Sequence, residues 1–506
     1  MPELRFADDV EVGFTPAWVG QSAGYRVRTL PVKEARELRG RTRNRGAASV
    51  VLLALVAGME LAVGPVAAAP HAADRVDGVW RVDGYGTVLS VEDGRLQEYQ
   101  ATAVSCLRGD TARRTGQSGS GSVTYTGDAA TVYRIRPAAG GAGAILYFDG
   151  SVGDRRLLRL PALPASCAKA APTGAPATFD VFWQTFEENY PFFAAKKIDW
   201  QAVRDRYRPR VYDGMPDTEL FALLREMVLP LYDAHVGIDA GNTGGFGQSR
   251  PGTMIPGPGL DQQAQAFVEQ HDLLGTRLRT FANGRIGYAR LPDGTGYLRI
   301  SGFGGYDGNS PTYARNSAIL EQTLSQVIRP GLRGLVLDLR INGGGSDALA
   351  LQVAERLTDR AYVAYAKRAR NDPTDPGRHT RPQPVRVQPT PDRFRYTGPV
   401  SVLTGGETYS AGETLTQALI QRPARTVRIG QNTQGVFSDV LERILPNGWT
   451  FGLPNEEYLT PPDGKTFDGE GIPPDIRAGN FVQEIAKGTH DSAFAQALAL
   501  IRCQAE

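Results

Sequence analysis

The chain has 506 residues, 41% of them hydrophobic, enough for a sizeable core and too many for one ordinary domain. Its 56 Lys and Arg balance 54 Asp and Glu, which excludes recognition of nucleic acid or an anionic membrane by bulk charge. The three cysteines, Cys106, Cys167 and Cys503, match no metal or redox spacing, so neither a metal nor a cofactor is expected.

Arg41, Arg43 and Arg45 precede the apolar run AASVVLLALVAG and then AVGPVAAAP, the order of a secretory signal peptide. Glu60 interrupts the apolar part and Ala67-Ala68-Ala69 offers a small-residue cleavage site, so cleavage fits better than the competing reading, a permanent anchor. The expectation is a signal peptide over residues 47–69, preceded by an extension over 1–46 that reflects a start codon assigned too far upstream. The mature protein is then exported, periplasmic or extracellular, with no stable membrane span. Export would allow Cys106 and Cys167 to form a disulfide around an N-terminal domain, leaving Cys503 over.

From Gly78 to Leu160 short alternating runs such as GVWRVDGYGTVLSV and AILYFDG, split by Gly and Asp, predict a small β domain over 77–165. A Pro/Ala-rich linker follows over 166–177. Residues 178–245 read as a helical segment. Phe179, Phe182, Trp183, Phe186 and Tyr190 form one stripe, and a second helix from about Asp217 ends in LYDAHVGI, which puts His235 at a helix-to-strand junction. An α/β core is expected over 275–500, with strands TGYLRISGF, GLVLDLR and PVSVLT alternating with helices. Lys367 to Arg395, rich in Pro and Arg, reads as a solvated loop or excursion, with a polyanion patch as the weaker alternative.

The segment VSVLTGGETYSAGETLTQAL places Ser410 on the first turn of a helix after a tight Gly-Gly turn, beside free backbone N–H groups that could stabilise an oxyanion. Ser410 and Glu413 also have the spacing of a capping box, which would serve merely to start the helix. A serine nucleophile needs a base. Of five histidines, His235 alone lies between a core helix and a strand, although such a histidine also suits a purely structural role.

Four blocks in register resemble the tail-specific (C-terminal processing) protease family from about Phe179 to Ile501: FDVFWQTFEENYPFF…IDW with LYDAHVGI, LVLDLRINGGG, TYSAGE and GEGIPPDI. The resemblance implies a serine peptidase with a crotonase/ClpP-like α/β catalytic core acting on a protein or peptide substrate. It implies that Ser410 is the nucleophile and that the Gly344 N–H, with the Ala411 N–H, forms the oxyanion hole; Gly343 and Gly345 remain alternatives to Gly344. Val436 stands where the serine–lysine members carry their lysine, so the chain is more similar to the tricorn-core type, in which His235 is the base and Asp468 orients it. Glu470 is the weaker substitute for Asp468. Ala234 departs from that type, which has a serine there. Asp338 and Arg340 read as a structural ion pair.

About fifty residues between His235 and Ile286 leave no room for a peptide-binding PDZ domain. Two other functions compete: a non-catalytic binder of apolar ligands on the same fold, opposed by the presence of both Ser410 and His235, and a serine esterase, opposed by the lack of a G-x-S-x-G elbow.

Overall fold

Alternating apolar and polar residues broken by turn-forming Gly and Asp fold the first part of the chain into hairpins. These are β1 (Gly78–Val82), β2 (Thr87–Glu92), β3 (Arg95–Ala101), β4 (Cys106–Gln117), β5 (Val123–Gly127), β6 (Val132–Pro137), β7 (Gly143–Phe148) and β8 (Arg155–Leu160). Each strand pairs with the next, and β8 returns to β1 to close a barrel, which removes the open sheet edges. Trp80, Leu89, Tyr125, Ile135 and Leu157 belong to its buried core. The computed structural model describes residues 76–118, 121–127, 131–138, 143–308 and 312–505. The expected upstream extension and signal peptide lie outside the described residues. Cys106 and Cys167 are disulfide-bonded, tying β4 to the segment that leaves the barrel, and Cys503 is free and exposed.

Three helices follow, α1 (Gly174–Asn189), α2 (Trp200–Tyr207) and α3 (Asp217–Val228). The aromatic stripe of α1 is buried against Leu223 and Leu224 of α3 and against Phe451 and Leu453. After α3 the chain reverses at Tyr232, whose φ of 48° is left-handed, and enters β9 (Gly237–Asp239) and β10 (Gly245–Phe246).

The core then runs through α4 (Pro258–Phe267), β11 (Arg279–Phe281), β12 (Ile286–Arg290), β13 (Thr295–Ile300), α5 (Tyr313–Val327), β14 (Gly334–Asp338) and α6 (Asp347–Glu355). It continues with β15 (Tyr362–Ala369), β16 (Gln383–Val387), β17 (Val400–Thr404), α7 (Ala411–Ile420), β18 (Thr426–Gly430), β19 (Val440–Ile444), β20 (Thr450–Pro454), β21 (Glu456–Leu459) and β22 (Ile476–Arg477), ending in α8 (Phe481–Lys487) and α9 (Ser492–Ala505). The main sheet has the order β11-β12-β13-β14-β17-β18-β22, parallel from β13 onward. Its central strands β14 and β17 are buried along their whole length, as a sheet covered on both sides requires. Leu335 and Leu337 face the helices α5, α6 and α7, while the intervening Val336 faces α4, α8 and α9.

Two smaller sheets flank it, β10-β9-β20-β19 and β16-β15-β21. The second corrects the expectation of a solvated loop over Lys367 to Arg395. Val385 and Val387 alternate with Arg386 in β16, which pairs with β15, and Lys367 is buried 2.9 Å from Glu456. Arg340 forms the expected ion pair with Asp338 and adds a second buried partner, Asp491 at 2.7 Å. Among the described residues no helix is long and apolar enough to cross a membrane.

Candidate active site

Adjacent parallel strands bring two turns side by side. β14 runs into the Gly343–Gly345 turn and β17 into the turn before Ser410, and the Tyr409 N–H donates to the Asn342 carbonyl at 3.0 Å. Gly344 has φ of 77° and lies against Ser410, so a Cβ there would fall 2.6 Å from that of the serine. Only glycine meets both conditions.

Ser410 itself has φ 54° and ψ −120°, a conformation that a non-glycine residue adopts only when its surroundings enforce it. The Ser410 carbonyl accepts from the N–H groups of Glu413 at 2.8 Å and Thr414 at 3.0 Å. Its N–H donates at 3.3 Å to the buried Glu413 carboxylate, which also accepts from the N–H groups of Gly435 at 2.7 Å and Val436 at 2.8 Å. Burial pushes Glu413 up to about 7, against the pull of these hydrogen bonds. The capping box expected from the sequence is present. It coexists with a second contact, because the Ser410 Oγ lies 3.1 Å from Nε2 of His235.

The other imidazole nitrogen, Nδ1, lies 3.0 Å from the carbonyl oxygen of Phe437. An Nδ1–H donated to that carbonyl leaves the Nε2 lone pair directed at the serine. Burial lowers the His235 pKa below its ordinary value, partly opposed by the Asp233 carboxylate, the Phe437 carbonyl and Asp439. The Asp233 carboxylate accepts from the His235 N–H at 3.0 Å and from the Tyr190 hydroxyl at 2.7 Å, and Lys196 lies 3.9 Å away. Tyr409 packs its ring edge-on to the imidazole and donates its hydroxyl to the Ala234 carbonyl at 3.2 Å. Ala234, Tyr409 and Val436 form a buried apolar cluster, with the partly buried Ile255 packed against it.

Two expected partners sit differently. Asp468 accepts from the Phe437 N–H at 3.3 Å, one residue removed from the imidazole, rather than taking the Nδ1 proton itself. Burial and the neighbouring Asp233 hold its pKa well above the ordinary carboxylate value, although Lys196 opposes them. A carboxyl biased toward protonation is a poor acceptor for imidazolium. Glu470 is exposed. The Gly344 N–H donates to the Asn342 side chain at 2.9 Å and the Gly343 N–H to the Ser301 carbonyl at 3.0 Å. Among the described residues no acceptor meets the Ala411 N–H or the Gly345 N–H.

Sequence reasoning missed Phe437, because a backbone carbonyl has no residue-type signature. It also missed the second role of Asn342, although that residue stands in the quoted INGGG block.

Residues 294–478 match the profile of Peptidase family S41, and residues 175–228 that of the Tricorn protease C1 domain. A carboxy-terminal-processing protease of Bartonella bacilliformis is 28% identical over 202 residues, covering 39% of this chain and 42% of its own. A chloroplastic C-terminal processing peptidase of Tetradesmus obliquus is 28% identical over 202 residues, 38% of each chain. The match thus spans about two fifths of the length of these curated relatives. A crystal structure from Parabacteroides merdae has 26% identity and a TM-score of 0.50, covering 65% of this chain and 97% of its own.

Proposed function

We propose that this chain, which belongs to the tail-specific protease family, is a serine endopeptidase in which Ser410 attacks a peptide carbonyl and His235 takes its proton. The observation that carries the reading is the 3.1 Å approach of His235 Nε2 to the Ser410 Oγ, with the serine held in a strained conformation at a helix N-terminus. Imidazole accepts the hydroxyl proton at Nε2 and keeps its Nδ1–H on the Phe437 carbonyl, so the tautomer is fixed before attack. The imidazolium formed is favoured by the Asp233 and Asp439 carboxylates, both of which raise the His235 pKa.

The tetrahedral oxyanion is received by the Ala411 N–H and by the Gly344 N–H once the Asn342 side chain yields it. Asp468 acts at one remove, through the backbone of Phe437. The reading extends to a crotonase/ClpP-like core over residues 275–500, a histidine-bearing helical segment over 178–245 and an N-terminal β domain over 77–165. The substrates are exported proteins cleaved near their C-termini in the periplasm or outside the cell, which the relatives' names support as far as C-terminal processing goes.

Labelling with a fluorophosphonate tests it. Wild type should be acylated at Ser410, while Ser410→Ala should not be labelled and His235→Ala should be labelled far more slowly. Equal labelling of wild type and His235→Ala would remove the histidine from the mechanism.

A further inference from the structure

We propose that the N-terminal barrel is a positioning element of the active site: its β7–β8 turn holds the backbone segments that orient His235 and flank Ser410. The inference rests on the Ser410–His235 reading.

The imidazole takes its orientation from the Phe437 carbonyl, and that carbonyl belongs to the peptide bond leading into Ser438. Ser438 has φ of 87°, a second strained non-glycine residue beside the site. Such a conformation persists only where neighbours over-determine it. The Ser438 Oγ accepts the N–H groups of Asn455 at 3.3 Å and Glu456 at 3.1 Å. Asp439, next in the chain, is gripped from the barrel. Its carboxylate accepts from the Ser151 hydroxyl, and from Arg155 of β8 at 3.1 Å. Arg155 is itself clamped between the rings of Tyr85 and Phe148, each 4.5 Å from its guanidinium carbon.

The same turn reaches the other side of the site. The Gly150 carbonyl accepts the Ser346 hydroxyl at 2.7 Å, and Ser346 is the residue that ends the Gly343–Gly345 turn and caps α6. Asp154 and Gln383 exchange two further hydrogen bonds across the junction. One barrel turn therefore fixes both the segment that aims the base and the segment beside the nucleophile. Misplacements of the order of an ångström in such segments can slow chemistry about a hundredfold.

The electrostatics give this role a distinct signature. Asp439 faces Ser151 and Arg155 of the barrel, Tyr365 and Lys367 of β15, Glu456 and Tyr458 of β21, Asp347 of α6 and His235. His235 faces Asp233, Asp439, the Phe437 carbonyl and the Tyr409 ring. Removing the Arg155 cation leaves Asp439 less compensated and favours the imidazolium. Removing the Asp439 anion does the reverse.

The test is the rate of fluorophosphonate acylation of Ser410 against pH, in the full chain. Arg155→Met should slow acylation roughly tenfold or more and move its acid limb to higher pH, with Arg155→Lys restoring much of both. Asp439→Asn, nearly isosteric and independent of whether Arg155→Met folds, should slow acylation and move the limb to lower pH. Wild-type rates, or an acid limb unmoved in folded Asp439→Asn, would overturn the inference while leaving the peptidase reading intact. Failure of wild-type Ser410 to label at all would overturn both.

Discussion

Nδ1 of His235 rests 3.0 Å from the carbonyl oxygen of Phe437, and the Phe437 N–H points back to Asp468 at 3.3 Å. The base is thus oriented by a backbone dipole, with the acid behind the residue that supplies it. A neutral carbonyl fixes the imidazole tautomer as well as a carboxylate does, but contributes less to stabilising the cation formed during attack.

Asp468→Asn should therefore be mild. In triads where the acid touches the imidazole, the equivalent change costs about ten-thousandfold in turnover. Here the loss should stay below about tenfold, because an amide oxygen can still accept from Phe437 N–H. Steady-state hydrolysis of a fluorescent casein distinguishes the two cases, and a loss of several powers of ten would mean that Asp468 moves onto the imidazole during turnover.

Ser410→Ala and His235→Ala should each abolish most of the rate, and the double variant should be little worse than either. Groups that act as one unit do not lose their contributions additively. Additive losses would show that the two residues work separately.

The acid limb of the pH–rate profile should lie below the ordinary imidazole value of about 6.5. Burial depresses the His235 pKa, the neutral form is the working base, and so activity should survive to lower pH than an exposed histidine would allow. A limb above the ordinary value would show that the neighbouring carboxylates outweigh burial.

Glu413→Ala should be destabilising by about 2–4 kcal/mol, since it strips the acceptor from three buried N–H groups. Urea unfolding measures it. The variant should also lose fluorophosphonate labelling, because the Ser410 N–H then loses its acceptor at a residue of positive φ. A stable, fully labelled variant would show that the serine strain is maintained elsewhere.

Removing the disulfide with Cys106→Ala and Cys167→Ala should cost about 4 kcal/mol by loop entropy for a separation of 61 residues. The loss should appear in thermal unfolding of the oxidised protein and vanish when wild type is compared after reduction.

Element type was legible wherever one period dominated. The aromatic stripe of α1 and the apolar runs of β14 and β17 could be read directly, and so could the strand, turn and helix around Ser410. The β15–β16 hairpin was obscured by its Pro- and Arg-rich connection, and Lys367 gave no hint that Glu456 would meet it in the interior. In the site, Ser410 and His235 could be nominated because hydroxyl and imidazole chemistry belongs to residue types. The Phe437 carbonyl, the use of the Gly344 N–H by Asn342 and the strain at Ser410 belong to the backbone, which every residue shares.

The pairing of β14 with β17 has a consequence for how the chain can vary. The glycine turn and the serine turn are carried by neighbouring parallel strands, so their separation inherits the roughly 4.8 Å spacing of a hydrogen-bonded sheet. Lengthening either strand end would shear the two turns against each other, whereas residues added at the exposed bend over 373–378 would leave that spacing untouched. The fold thus separates a segment whose length is tied to chemistry from one whose length is free to drift.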